Sequence, residues 1–380
     1  MQGYVMVKIP HFDVLSWQVG MRWWRSSIAA ANLGFANLGF ANLVFAGLVM
    51  LLSLPSHAAT QNIGFREITQ SGVNIAVWYP TNAPHNQSRL GPFDVDYARD
   101  AKPVAGRFPL VLLSHGHSGR PRNHHLTAAA LVRAGYVVAA PQHRFDHLVF
   151  QSRLIYAMHQ RIAEITTAHR AVVDHPVIGP VIDDGPVHGL GYSLGSATLM
   201  ASSIAAVDIA ALKSHCYANA AKDPLFCKSP SLLVRIFHAL QTIGKDHSAS
   251  RTKPQDSVVT GKMVLVAPVG RGLILQPIAK KIDAVMVLAI RNDQHVPPRY
   301  HANYLTALMG PDHVGDVDHV EVEDGHHFAF IAPFAKRVTR EETIPVALDL
   351  AGFDRVAWLD KVNQQIVGFI QRLHDLKRQR

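Results

Sequence analysis

The chain has 380 residues, 48% of them apolar, and carries a formal net charge of +9. This composition excludes a disordered chain and is enough for one substantial core. The Lys and Arg residues are scattered and form no run or aromatic-interleaved patch, which argues against a nucleic-acid partner despite the charge.

Arg22 and Arg25 precede the stretch 26–56, which has no charged residue, and small residues stand at Ser56 and Ala58. Basic, apolar and small segments in that order predict an export signal over 1–58, cleaved after Ala58, and a periplasmic or extracellular location. The apolar stretch exceeds an ordinary signal core, so a retained membrane anchor is the alternative. Residues 31–45 repeat the unit ANLGF, ANLGF, ANLVF, and Met21, directly before the basic residues, is a candidate start. The two cysteines, Cys216 and Cys227, both lie in the part that would be exported, and an even number in an oxidising compartment predicts a disulfide.

From Asn62 the chain alternates short β-rich runs with longer helical ones, the pattern of an α/β fold whose mostly parallel sheet is covered by helices on both faces. The runs 64–69 and 73–79 predict an opening antiparallel pair joined at Ser71-Gly72. The continuous apolar run 110–114 predicts a buried central strand ending in the turn His115-Gly116-His117-Ser118-Gly119, followed by a helix to about Ala134 and a strand over 136–140. Apolar residues at 155, 158, 162, 165 and 172 predict an amphipathic helix. Further strands are expected at 187–192, 263–266, 284–290 and 319–322. A last helix starts near Asp354, with Val356, Leu359, Val362, Ile366, Ile370 and Leu373 on its inner face. The segment 207–261 breaks the alternation and predicts an inserted cap, with a helix near 232–242 and a polar run over 244–257.

The motif Gly191-Tyr192-Ser193-Leu194-Gly195 follows a strand and precedes a small-residue helix expected over 197–205. A serine in such a strand-turn-helix elbow sits on a tight backbone that exposes its hydroxyl, and flanking glycines make room for it, so Ser193 is the candidate nucleophile. Attack by a hydroxyl needs a base and an orienting acid, expected further along the chain in the order acid, then histidine. Asp293, in the loop after the 284–290 strand, is the candidate acid ahead of Asp283, Asp312, Asp316 and Asp324. The last strand ends in Glu323-Asp324-Gly325-His326-His327-Phe328, so the base is His326 or His327. The 115–119 turn should lie beside the elbow, where the amides of His117 and Leu194 would receive an oxyanion. Adjacent histidine pairs, with no acid or cysteine completing a ligand set, give no reason to expect a metal, and the chemistry requires no cofactor.

These motifs resemble those of bacterial exported α/β-hydrolases called predicted dienelactone hydrolases, which are similar to platelet-activating-factor acetylhydrolases. The resemblance runs through AVWYPT, LLSHGHSG, GYVVAAPQHR, GYSLG, SHCYANAAKDPLFC, GHHFAF and GFDRVAWLDKVNQQIVGF. It implies the α/β-hydrolase fold and cleavage of a small-molecule ester, with Ser193, Asp293 and His327 as triad and the His117 and Leu194 amides as oxyanion donors. It selects His327 because the family's base stands directly before phenylalanine; His326 departs from that pattern, where glycine is frequent. Dienelactone cleavage itself is not implied, since true dienelactone hydrolases use cysteine. A peptidase or amidase on the same fold, or a non-catalytic binding protein that keeps it, are the alternative expectations.

Overall fold

The computed structural model describes residues 62–145, 154–227, 252, 257–277, 282–335 and 345–372, all within the compact unit Ala58–Arg380. The expected export segment and most of the expected cap, including the helix near 232–242, lie outside the described residues. No helix among the described residues is long and apolar enough to cross a membrane.

Strands β1 (Asn62–Gln70) and β2 (Val73–Thr81) pair antiparallel from Gln70↔Val73 to Asn62↔Thr81. Ser71 and Gly72 join them, both at positive φ, as a two-residue turn requires when it matches the twist of its strands. Then come β3 (Asn86–Leu90), β4 (Phe93–Arg99) and β5 (Leu110–Ser114). Next are α1 (His125–Arg133), β6 (Val137–Pro141), α2 (Leu154–Val173), β7 (His188–Tyr192) and α3 (Leu194–Ala201). The chain continues through β8 (Ala205–Val207), α4 (Ile209–Asn219), β9 (Met263–Val266) and β10 (Leu273–Leu275). It closes with β11 (Val285–Ile290), α5 (Ala302–Leu308), β12 (Val317–Val322) and α6 (Arg355–Gln371).

Ten strands form one sheet in the order β12-β11-β9-β7-β5-β6-β2-β1-β4-β3. Six neighbours, β6, β5, β7, β9, β11 and β12, run parallel, and β2 pairs antiparallel with β6. Leu110 and Leu112 of β5 enter one core with α2, α3 and α5, through Ile162, Leu199 and Leu305. Val111 and Leu113 enter the other with α1 and α6, through Leu131, Leu359 and Ile366. A two-residue period that buries both faces explains why β5 reads as an unbroken apolar run. From β5 the chain crosses by α1 to β6 on one side, then by α2 to β7 on the other side. This reversal opens a crevice at the carboxyl ends of β5 and β7.

Several expectations need correction. The helix after the elbow ends at Ala201 rather than Ala205, because Ala205 begins β8, which pairs antiparallel with β10. Val207, expected at the edge of the insertion, is therefore a strand residue. Val356 is 48% exposed, whereas the inner face of α6 is made by Trp358, Leu359, Val362, Ile366, Phe369 and Ile370. Asp354 does cap α6, accepting from the Ala357 amide at 3.0 Å. The β3–β4 hairpin was not expected at all.

Candidate active site

Ser193 stands between β7 and α3 with φ 53° and ψ −119°, a left-handed backbone that costs a non-glycine residue on the order of 1–3 kcal/mol and persists only where its surroundings enforce it. The surroundings here are tight. A Cβ on Gly195 would stand 1.9 Å from the Ser114 carbonyl oxygen, and one on Gly191 would stand 2.6 Å from the Ser196 Cα. Hydrogen bonds from the Ser193 amide to the Val266 carbonyl (2.9 Å) and from the Val269 amide to the Ser193 carbonyl (3.2 Å) fix the elbow to the end of β9.

The Ser193 Oγ lies 3.1 Å from Nε2 of His327, and Nδ1 of the same ring lies 2.6 Å from Oδ2 of Asp293. All three side chains are buried. The polarity is consistent around the ring: the serine hydroxyl donates to Nε2, and Nδ1–H donates to the carboxylate. Asp293 follows β11, and its Oδ1 accepts the amides of His295 (2.8 Å) and Val296 (3.0 Å). Burial pushes the Asp293 carboxyl up, but the His327 ring and the two amides outweigh it and hold the group below the usual carboxylate range. The carboxylate therefore stays ionised against the imidazole, and His327 can take the hydroxyl proton with its charge compensated.

Of the competing acids, Asp283, Asp312, Asp316 and Asp324, none supplies the carboxylate that Nδ1 of His327 meets. His326 turns elsewhere: its Nε2 lies 3.1 Å from Oδ1 of Asp349, which also pairs with Arg355 at 2.7 Å. The turn after β5 abuts Ser193, since a Cβ on Gly116 would stand 3.3 Å from the Ser193 Cβ. Leu194 is the first residue of α3, and the first amides of a helix have no acceptor within it. The structure thus brings Ser193, Asp293, His327, the Leu194 amide and the His117 turn together at the crevice, and leaves His326 outside.

Two neighbours had no signal in the residue pattern. The half-buried ring of His295 stacks on that of His327, with centroids 4.9 Å apart and planes 18° from parallel. Tyr192 reaches from the elbow to the backbone of His327. Cys216 and Cys227 form the expected disulfide. Ligand atoms of His215, Asp223 and Cys227 lie within 4.8 Å of one another, but the Cys227 sulfur is bonded to Cys216 and has no thiolate to offer a metal.

No protein-family model matches the chain, and no curated protein matches it significantly.

Proposed function

We propose that this chain is a serine hydrolase of the α/β-hydrolase fold that cleaves carboxylic esters through an acyl-enzyme. The observation that carries this reading is the single imidazole of His327, which spans from the strained Ser193 hydroxyl at 3.1 Å to the Asp293 carboxylate at 2.6 Å. Strand order and the crevice beside the elbow support the fold assignment.

In the proposed reaction the Ser193 Oγ bonds to the ester carbonyl carbon while its proton passes to Nε2 of His327. The carbonyl π electrons move onto oxygen, and that oxyanion takes hydrogen bonds from the amides of His117 and Leu194; one such donor is worth about 3–4 kcal/mol of barrier. Collapse breaks the bond to the alcohol oxygen, which leaves with the proton from His327. Water, deprotonated by the same ring, then cleaves the acyl-serine and returns the proton to Oγ. Every proton transfer uses a group already in place, so the cycle requires no metal or cofactor. Short-acyl or acetyl esters are the proposed substrates, on the strength of the motif resemblance. An exported protein is the proposed setting, supported by the Cys216–Cys227 disulfide, which suits an oxidising compartment.

The backbone strain at Ser193 favours a catalytic elbow over a binding protein that merely keeps the fold, because stored strain of this kind clusters at functional sites. A fluorophosphonate probe is expected to label the full chain at Ser193 and to leave Ser193→Ala unlabelled. A panel of p-nitrophenyl esters is expected to show turnover that disappears in the same variant. A wild-type chain that takes no label and turns over no ester would refute the reading.

A further inference from the structure

The peptide that links Gly116 to His117 carries the amide assigned to the oxyanion, and its other end is held with unusual care. The Gly116 carbonyl oxygen accepts from Nδ1 of His115 at 2.8 Å and from the Gly119 amide at 3.1 Å. In a trans peptide C=O and N–H point in opposite directions, so a group that fixes the oxygen also aims the hydrogen.

The His115 ring has one proton arrangement open to it. Its Nε2 faces the backbone amide of His143 at 3.1 Å, and an amide only donates, so Nε2 accepts and Nδ1 bears the hydrogen. Burial above all, then His143 and the Arg161 guanidinium, pushes the His115 pKa well below the ordinary imidazole range, so the ring stays neutral. His143 is fixed in turn: Nδ1 lies 2.9 Å from Oε2 of Glu164, and Nε2 lies 3.0 Å from the Ser114 Oγ. Arg161, also fully buried, donates from Nη2 to the His115 carbonyl (2.5 Å) and from Nε to the Thr198 Oγ1 on α3 (2.8 Å). One guanidinium therefore ties the turn to the helix that begins at the nucleophile.

We propose that His115 is a positioning residue of the oxyanion site: its Nδ1–H holds the Gly116 carbonyl and so aims and polarises the His117 amide before substrate arrives. A hydrogen bond to a peptide oxygen strengthens the N–H of the same peptide as a donor, so the effect is electronic as well as geometric. The inference rests on the serine-hydrolase reading above and names a residue that the reaction scheme does not use.

Two variants separate this role from simple core packing. Asparagine at 115 places an amide nitrogen near the position of Nδ1; leucine is close to asparagine in size and has no donor. With an ester that wild type hydrolyses, His115→Leu should lower kcat by about 30- to 100-fold with KM nearly unchanged, approaching the loss of a whole oxyanion donor. His115→Asn should stay within about fivefold of wild type. Affinity for a trifluoromethyl ketone, which forms a tetrahedral oxyanion on serine, should weaken in His115→Leu in step with kcat/KM. Equal losses in both variants, an unchanged inhibitor affinity, or full activity in His115→Leu would overturn the proposal.

Absence of labelling and turnover in wild type would instead defeat the hydrolase reading. The placement of the proton then stands on its own measurement, which also serves if both variants fail to fold: 15N-histidine spectra of the wild-type chain at pH 7, in which the shifts of the His115 ring should show a protonated Nδ1 and an unprotonated Nε2. An Nε2–H tautomer at His115 would overturn the proposal whatever the kinetics.

Discussion

The hydroxyl of Tyr192 donates to the backbone carbonyl of His327 at 2.7 Å, so the residue directly before Ser193 grips the residue whose ring faces Ser193. Its ring packs 5.1 Å from His124 and 5.6 Å from Phe330, between the α1 side and the base turn. Burial, and then the Asp293 charge, pushes the phenol far above its ordinary range, so it remains a donor. Tyr192→Phe leaves a buried carbonyl without this partner. We expect a stability loss of about 1–2 kcal/mol and a fall in kcat of about tenfold as the His327 backbone loosens. Urea unfolding and ester kinetics measure the two; an unchanged kcat would show that the turn holds His327 without the tyrosine.

The two adjacent histidines should behave oppositely. His326 is extended, at φ −129° and ψ 170°, and His327 opens a short 3-10 turn, so their side chains leave the backbone in different directions. His327→Ala or Ser193→Ala should lower kcat by about 10⁴-fold or more, with folding retained. His326→Ala loses the contact with Asp349 and should cost at most about tenfold. A dead His326→Ala beside an active His327→Ala would mean that the base is one residue earlier.

The same contrast shows what could be read from the residues and what could not. Strands β5, β9 and β11 were legible because burial on both faces makes them continuous apolar runs, and the elbow was legible because its glycines are required by close backbone contact. The β3–β4 hairpin is hard to read although Phe93, Val95 and Tyr97 alternate with Asp94 and Asp96, because it sits at a sheet edge and β3 itself is almost wholly polar and exposed. Arg161 and Glu164 lie on a helix whose apolar face is legible from its period, yet both are at most 1% exposed. A helical period assigns charges to solvent, and nothing in it reveals that partners 20 to 46 residues away will enclose them.

The disulfide loop bears on the acid loop. Oδ2 of fully buried Asp223 meets Nε2 of His215 at 2.8 Å and Nε2 of His301 at 3.1 Å, while Arg299 donates to the Lys222 carbonyl at 3.0 Å. His301 in turn accepts the Gly270 amide at 3.2 Å, next to Val269, whose own amide holds the Ser193 carbonyl. Replacing both cysteines by serine removes a crosslink across an 11-residue separation and should cost about 3 kcal/mol by the chain-entropy estimate. Activity should fall by a few-fold at most while the protein stays folded, since among the described residues the loop reaches Ser193 indirectly, through His301 and the 269–270 backbone. Thermal unfolding with and without a dithiol reductant reads the first effect; equal melting temperatures would show that the crosslink adds nothing.

Acid should weaken this protein before the carboxylates of Asp293 and Asp223 titrate. Burial lowers the pKa of His124 and of His125 to about 4 each, against about 6.5 in an unfolded chain. Between those values the unfolded chain binds protons that the folded chain refuses, so stability must fall as pH falls, by about 3 kcal/mol for each ring across the window. His115 and His143, whose pKa values burial also lowers, add to the same slope. Asp293 and Asp223, whose carboxyls lie below their ordinary range, lose their contributions only at more acid pH, so the two effects separate. The urea midpoint should therefore decline steadily from pH 6.5 towards pH 4, and His125→Asn, which removes one refused proton but keeps a polar partner for Tyr97, should flatten the decline. A midpoint that held constant across this range would show that these rings take up protons without leaving the folded state.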